Sequence, residues 1–177
     1  MKVLLHICCA VCAAPCVERL RQENHRVSGY FYNPNIQPEA EHHRRLQDTQ
    51  RLAREMDFPL IAGDYDTDKW LSQIKGWEQE PEGGRRCSEC FNLRLERTKE
   101  MLKQKVIEAF TTTLTISPHK NAQLINEIGQ RIGGDSFLAR DFKKQNGFKR
   151  AQELSKQHQL YHQDYCGCLY SQDRFPS

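Results

Sequence analysis

Short apolar runs alternate along the chain with longer stretches in which apolar residues recur every three or four positions. The apolar runs predict five β-strands, at residues 2–6, 27–32, 59–62, 106–112 and 136–139. The longer stretches predict helices at 38–56 and 88–104, and a third helix with Ser117 as its N-cap that ends at Gly133 and Gly134. This alternation is typical of an α/β domain with a mostly parallel sheet flanked by helices. No repeat or internal boundary interrupts it, so residues 1–177 are expected to form one domain.

Several polar and sulfur-containing residues directly follow the predicted strands. Cys8 and Cys9 come after the first strand, and Thr111, Thr112 and Thr113 end the fourth. In open parallel sheets, ligands bind at the carboxyl ends of the strands. The functional site is therefore expected at this edge of the sheet.

Composition narrows the class of protein. The 177 residues are 38% hydrophobic and 28% charged, with a net charge of +3, as in an ordinary water-soluble protein. No apolar run approaches the roughly 20 residues that span a bilayer, and the N-terminus is a poor signal peptide, so we expect a cytoplasmic protein without a membrane partner. The net charge alone does not indicate nucleic-acid binding, but basic pairs at 44–45, 85–86, 143–144 and 149–150 would suit a phosphate backbone.

Eight cysteines are the unusual feature, and they occur in groups. Cys87 and Cys90 form a C-x-x-C pair at a predicted helix start, where helix amides favour thiolates. Together with Cys8 and Cys9 they offer four sulfur ligands, which suits either zinc or an iron–sulfur cluster. Adjacent cysteines are unusual in structural zinc sites, so the pattern favours iron and sulfide.

A second sulfur motif lies near the C-terminus, where a single glycine separates Cys166 from Cys168. A disulfide across one residue closes a small, strained and easily reduced ring. The pair could therefore cycle as a redox couple, or its thiolates could hold a further metal beside the cluster. Cys12, one helical turn after Cys8, could join that metal site.

Several motifs occur in order over nearly the whole chain: LLHICCAVC, FYNPNIQP, GDYD, EGGRRCSEC, LERT, TTTLTISPHKN and YCGC. Together they resemble the QueH-type epoxyqueuosine reductases. The resemblance implies a Rossmann-like fold akin to the adenine-nucleotide hydrolase and PP-loop proteins. It also implies the iron–sulfur-dependent reduction of epoxyqueuosine to queuosine at the wobble position of tRNA, the last step of queuosine biosynthesis.

The resemblance also implies roles for individual cysteines. It assigns a [4Fe–4S] cluster to four ligands: Cys8, Cys9, Cys87 and Cys90. It gives Cys166 and Cys168 a redox or second-metal role. Position 11 is valine here and usually proline in the family, which changes loop stiffness but no ligand. Position 12 is acidic in some relatives, so Cys12 is a candidate ligand of a second, mononuclear iron.

The implied reaction needs further groups. Opening an epoxide to an alkene removes one oxygen atom and consumes two electrons and two protons, so an external electron donor is an expected partner. Asp64, after the third predicted strand, is the expected proton donor. Arg85, Arg86 and Lys120 are the expected contacts to tRNA phosphates.

Two other functions are compatible with parts of the sequence. An ATP-dependent PP-loop tRNA thiolation enzyme would share the fold and the C-x-x-C pair. Such an enzyme needs a loop rich in glycine and serine after the first strand, and here that loop is CCAVC. A zinc-stabilised RNA-binding module would explain four thiols and the basic pairs, but it leaves Cys166 and Cys168 without a role.

Overall fold

Four parallel strands form the sheet of the computed structural model, which describes residues 1–174, with side chains up to Ser171. They are β1 (Lys2–His6), β2 (Arg26–Phe31), β3 (Leu60–Ala62) and β4 (Ala109–Thr112), in the order β3-β2-β1-β4. Every neighbouring pair is parallel. The predicted α/β class with a parallel sheet is confirmed, and the architecture is consistent with a Rossmann-like fold.

The central strand β1 is buried on both faces. Val3 and Leu5 pack into the core on one face of the sheet, and Leu4 packs into the core on the other; all three are fully buried. A strand covered on both sides requires a continuous apolar run. The sequence KVLLH supplies that run, which is why its apolar character identifies the strand so clearly.

Helices cover both faces of the sheet. On the face of Val3 lie α1 (Ala10–Gln22), α2 (Glu39–Glu55) and α6 (Gly147–Gln157). On the face of Leu4 lie α3 (Thr67–Gln73), α4 (Arg85–Lys105) and α5 (Ala122–Gly133). Short 3-10 turns occupy Thr113–Ile116, Gly134–Ser136 and Leu169–Arg174. Within residues 1–174, none of the helices combines the length and apolar character that crossing a membrane requires.

The fifth predicted strand, 136–139, is wrong. Residues Gly134–Ser136 form a 3-10 turn in which the amide of Phe137 donates to the carbonyl of Gly134 at 3.0 Å. Only one isolated parallel bridge, between Phe110 and Phe137, remains beside β4. The turn includes Ser136, the first residue of the predicted strand, and the contact with β4 is made through Phe137 and Leu138.

Three predicted element boundaries also shift. Helix α4 begins at Arg85, three residues before the prediction, with Gly84 as its N-cap. Helix α5 begins at Ala122, because the side chain of Asn121, and not Ser117, accepts the capping hydrogen bond, from the amide of Leu124. Strand β4 begins at Ala109 and not at 106, since Val106 has a left-handed φ of 51° and ends α4.

The carboxyl ends of the central strands meet at one edge of the sheet, as predicted. His6, the last residue of β1, pairs in register with Tyr30 of β2 and Thr112 of β4. Cys8 comes two residues after β1 and Thr113 comes directly after β4, so the two lie side by side. The fold itself thus delivers sulfur to the edge at which α/β proteins bind ligands.

Candidate metal centre and active site

Three thiols converge in the turn between β1 and α1. Cys9 is the N-cap residue of α1, with extended backbone, and Cys12 lies in the first turn of the helix. The Sγ atoms of Cys8, Cys9 and Cys12 lie within 4.8 Å of one another, and the Cys8 and Cys9 atoms are 3.9 Å apart. Among the described residues this thiol triad is the one group of three or more Cys, His, Asp or Glu side chains packed at metal-binding spacing.

Residues from distant parts of the chain hold the thiol triad in place. The Thr113 hydroxyl accepts a hydrogen bond from the Cys8 amide at 3.1 Å and donates one to Cys8 Sγ at 3.2 Å. Gln163 donates from Nε2 to Cys9 Sγ at 2.9 Å. The end of β4 and the C-terminal segment therefore both fix the positions of the first two cysteines.

The C-x-x-C pair and the C-terminal pair surround a small cavity of about 40 Å³. Its lining includes Cys87, Cys90, Cys166 and Cys168, together with the buried indole of Trp70. The Gly83 amide donates to Cys87 Sγ at 3.2 Å. Because Cys87 and Cys90 belong to the first two turns of α4, the helix brings both thiols to one wall of the cavity.

A larger cavity of about 380 Å³ adjoins the small one. Cys8 and Cys12 line the larger cavity, and Cys166 and Lys120 line both. Six of the eight cysteines therefore line the two adjoining cavities, and a seventh, Cys9, lies beside Cys8. The eighth, Cys16, is fully buried in the core beneath α1.

All eight cysteines carry free thiols, so Cys166 and Cys168 are not bonded to each other here. Gly167 between them has a φ of +112°, a conformation that favours glycine. The amide of Gln37 donates to the Gly167 carbonyl at 2.8 Å, and Arg45 donates to the carbonyl oxygens of Tyr165 and Cys166. The loop is held through its backbone, which leaves its thiols free to react.

The charges around the cavities favour thiolate at Cys8. Hydrogen bonding by Cys12, followed by that of Cys9, outweighs burial and holds the pKa of Cys8 well below its usual range. The positive charges of Arg94 and Lys120 act in the same direction. For Lys120, burial acts to lower the pKa, but the electrostatic influence of the neighbouring cysteine sulfurs, Cys166 foremost, raises it above its usual range. Lys120 is therefore a fixed cation between the two sets of thiols.

Burial acts in the opposite direction on Cys90 and Cys168. Burial raises the pKa of Cys90, against the opposing charge of Arg94 and the nearby Trp70 indole. Burial likewise raises the pKa of Cys168 to about 12. Cys166, which lines the same small cavity, contributes to both shifts. A bound metal would have to displace these protons.

Asp64, the expected proton donor, is not brought to the thiols. Its side chain is 80% exposed and lies 3.8 Å from the guanidinium of Arg97, and it lines neither cavity. The strand order explains the difference, because β3 lies at the sheet edge, two strands away from β1. A residue that follows a parallel strand lies at the carboxyl edge of the sheet, but the sequence does not reveal which strands are neighbours there.

The three predicted phosphate contacts differ in their surroundings. Lys120 lines both cavities, and Arg85 is 61% exposed with its guanidinium 4.1 Å from the centroid of the Trp77 ring. Arg86 is buried, and it donates to the carbonyl oxygens of Glu78 and Glu80. Arg86 therefore fastens the loop before α4, a role that its position beside Arg85 in the sequence does not reveal.

Comparison with known proteins identifies the family. A family model described as epoxyqueuosine reductase QueH matches residues 3–174. Proteins named epoxyqueuosine reductase QueH include one from Streptococcus pyogenes serotype M1, 39% identical over 96% of this chain and 69% of its own length. Others come from Acinetobacter baylyi, 39% identical over 96% and 80%, and Thermotoga maritima, 34% identical over 96% and 89%. The predicted resemblance is confirmed: this chain belongs to the epoxyqueuosine reductase QueH family.

Proposed function

We propose that this chain is an oxidoreductase that converts epoxyqueuosine to queuosine at the wobble position of tRNA, in the cytoplasm, with an iron–sulfur cluster as cofactor. Family membership supports the reductase activity. The cofactor assignment rests on one observation: six thiols line two adjoining cavities at the carboxyl edge of the sheet, and a seventh, Cys9, lies beside Cys8.

The chemistry of the donor set fits an anionic cluster. Four thiols from two elements, Cys8, Cys9, Cys87 and Cys90, would hold a [4Fe–4S] cluster. The cations Arg94 and Lys120 line the same region and would balance the charge of such a centre. The buried indole N–H of Trp70 lines the small cavity, where its hydrogen bond to Cys90 acts to lower the pKa of that thiol and would favour a ligating thiolate. When bound, the cluster would transfer electrons singly and offer iron as a Lewis acid.

Cys166 and Cys168 would supply the two electrons that the reaction consumes. In the reaction both carbon–oxygen bonds of the epoxide break, a carbon–carbon double bond forms, and the oxygen leaves as water, with uptake of two electrons and two protons. Oxidation of two thiols to a disulfide releases two electrons and two protons. The external electron donor then reduces the disulfide. In the competing arrangement, Cys166 and Cys168 hold a second iron together with Cys12.

Cations near the cavities suit an anticodon. Lys120 and Arg85 would contact phosphate groups, and the exposed Arg85–Trp77 pair offers a flat surface beside them. Lys120 lines both cavities beside Cys166, whereas Asp64 lines neither, so Lys120 is the better placed of the two to stabilise negative charge at the cavity. Arg86 is left out of the tRNA contacts because it is buried.

The test is oxygen-free purification followed by measurement of iron, acid-labile sulfide and zinc. We expect a brown protein with iron and sulfide in equal amounts, which converts epoxyqueuosine-containing tRNA when dithionite is added. Colourless protein with stoichiometric zinc would contradict the proposal and support an RNA-binding module. A strict requirement for ATP would instead support a thiolation enzyme.

Paired substitutions separate the two roles of the C-terminal cysteines. In Cys166→Ser/Cys168→Ser, loss of turnover with iron and sulfide unchanged supports the dithiol, whereas loss of one iron per chain supports a second metal. Cys16→Ala is the matched control, since Cys16 is buried in the core and lines neither cavity. It should keep both iron content and turnover.

A further inference from the structure

Arg94 is a buried cation in the wall of the large cavity. It lies on α4 one turn after Cys90, and its side chain is 2% exposed. Its Nη1 atom donates to Cys90 Sγ at 3.9 Å, and its Nη2 atom donates to Asn33 Oδ1 at 2.6 Å. Its Nε atom donates to His6 Nε2 at 3.3 Å. The guanidinium is therefore held from three directions, one of them a proposed cluster ligand.

No carboxylate among the described side chains lies within salt-bridge distance of Arg94. Its partners Asn33 and His6 carry no negative charge. Burying a charge without a counter-charge is costly, so buried arginines are normally paired with an anion. Glu82 and Asp164 also lie in the wall of this cavity, but the side chain in direct contact with the guanidinium is Cys90. A cluster bound through Cys90 would supply the missing negative charge beside Arg94.

We propose that Arg94 is a positioning residue that holds a fixed positive charge against the proposed iron–sulfur cluster and thereby raises its reduction potential. The inference rests on the proposed function. Reduction adds one electron to the cluster and neither forms nor breaks a bond, so the reduced state is more negative by one charge. A fixed cation and hydrogen bonds to the ligand sulfur stabilise that state relative to the oxidised one.

The test is a redox titration of purified, cluster-loaded protein, followed by its visible absorption. Arg94→Gln should shift the reduction equilibrium at least tenfold toward the oxidised cluster, which is about 59 mV for a one-electron couple. Arg94→Lys keeps the charge and should shift it less. Arg97→Gln is the control, because it removes the same charge from the same helix at a residue paired with Glu100. Arg97→Gln should leave the equilibrium constant for reduction within twofold of the wild-type value.

A second variant tests the charge without removing Arg94. Asn33→Asp would place a carboxylate where the amide oxygen now accepts from Nη2, and this should neutralise the guanidinium and shift the equilibrium in the same direction as Arg94→Gln. If Arg94→Gln does not fold, the titration of Asn33→Asp shows by itself whether the charge of Arg94 affects the reduction equilibrium. Unchanged potentials in the folded variants, with wild-type iron and sulfide content, would overturn the inference alone. Wild-type protein that assembles no cluster would overturn both the proposed function and the inference.

Discussion

The guanidinium of Arg45 donates a hydrogen bond to the carbonyl oxygen of Cys166 at 3.0 Å, across 121 residues of sequence. Arg45 is 2% exposed and also donates to the Tyr165 carbonyl at 3.1 Å, while Glu41 one turn earlier neutralises its charge at 2.7 Å. The planar guanidinium reaches two successive carbonyl oxygens at once. Helix α2 thus sets the position of a reactive loop through contacts that leave the loop's sulfur atoms untouched.

We predict that Arg45→Lys loosens this loop. An ammonium group keeps the charge but does not reproduce the planar fork that reaches both carbonyls and Glu41. The free energy of unfolding should fall by about 2 kcal/mol in urea denaturation. Cys166 should react faster with an alkylating reagent, as followed by mass spectrometry.

Arg44→Lys is the matched control for this prediction. Arg44 is exposed on the same helix, and its guanidinium lies 3.6 Å from the centroid of the Tyr161 ring. Its replacement should change stability by less than about 1 kcal/mol and leave Cys166 alkylation unaltered. Equal alkylation rates in both variants would show that Arg45 does not hold the loop.

Gly167→Ala should destabilise the same loop by a separable mechanism. A Cβ atom there would lie 2.8 Å from Ile36 Cγ1 and 3.2 Å from Arg45 Nη1, at a φ of +112°. Gly76 is the control, because its φ of +87° is equally unfavourable for alanine but no atom lies within 4 Å of the added Cβ. We expect a loss of about 1 kcal/mol for Gly76→Ala and about 3 kcal/mol for Gly167→Ala. Equal losses in urea denaturation would rule out the steric contribution.

The sequence reveals the parts of the site that depend on local pattern. Cys8 and Cys9 are predictable because a strand end places them at the sheet edge, and Cys87 and Cys90 because their spacing suits one helix face. The β1 strand itself is predictable because burial on both faces demands an apolar run. These features require only a few consecutive residues.

The remaining contacts depend on the arrangement of distant segments. Arg45 lies in a highly polar stretch, and it binds carbonyl oxygens, which any residue could offer. Arg94 follows Cys90 on α4, but its burial depends on how closely α4 packs on the sheet. Asp64 lies away from the thiols for the same reason, since its place depends on strand order. The role of Thr113 is partly predictable. The sequence places the threonine run at the edge of the sheet, but it does not show that Thr113 pairs with Cys8.

We predict that Thr113→Val weakens the attachment of the Cys8 turn. Valine matches threonine in shape but removes the hydroxyl that accepts from the Cys8 amide and donates to Cys8 Sγ. A buried amide left without an acceptor costs about 1–3 kcal/mol. The free energy of unfolding of metal-free protein should fall by about 2 kcal/mol in urea denaturation.

Thr113→Ser separates the hydrogen bonds from packing. Serine keeps the hydroxyl and loses one methyl group from a fully buried position, which costs about 1 kcal/mol. Stability should therefore fall in the order wild type, Thr113→Ser, Thr113→Val. A serine variant as unstable as the valine variant would show that packing, and not the two hydrogen bonds, is what Thr113 contributes.

His42 should make the protein less stable in mild acid. Burial, and then the charges of His43 and Arg45, lower the pKa of His42 from 6.5 to about 4, while the unfolded chain keeps the ordinary value. The unfolded state therefore binds the proton first as the pH falls. The contribution of neutral His42 to the free energy of unfolding is fully present above pH 6.5. It is lost between pH 6.5 and 4, at about 1 kcal/mol per pH unit.

His42→Phe should flatten this pH dependence while preserving the packing. The imidazole packs edge-on against Phe31 and beside Tyr65, with ring centroids 5.3 and 4.2 Å away, so a phenyl ring can take its place. The change also removes Nε2, which has no hydrogen-bond partner among the described residues. Urea denaturation at half-unit steps from pH 7 to 4 measures the slope. The exposed His119→Gln is the control and should keep the wild-type slope, because His119 has no part in the pKa shift of His42. An unchanged slope in His42→Phe would assign the acid sensitivity to other groups.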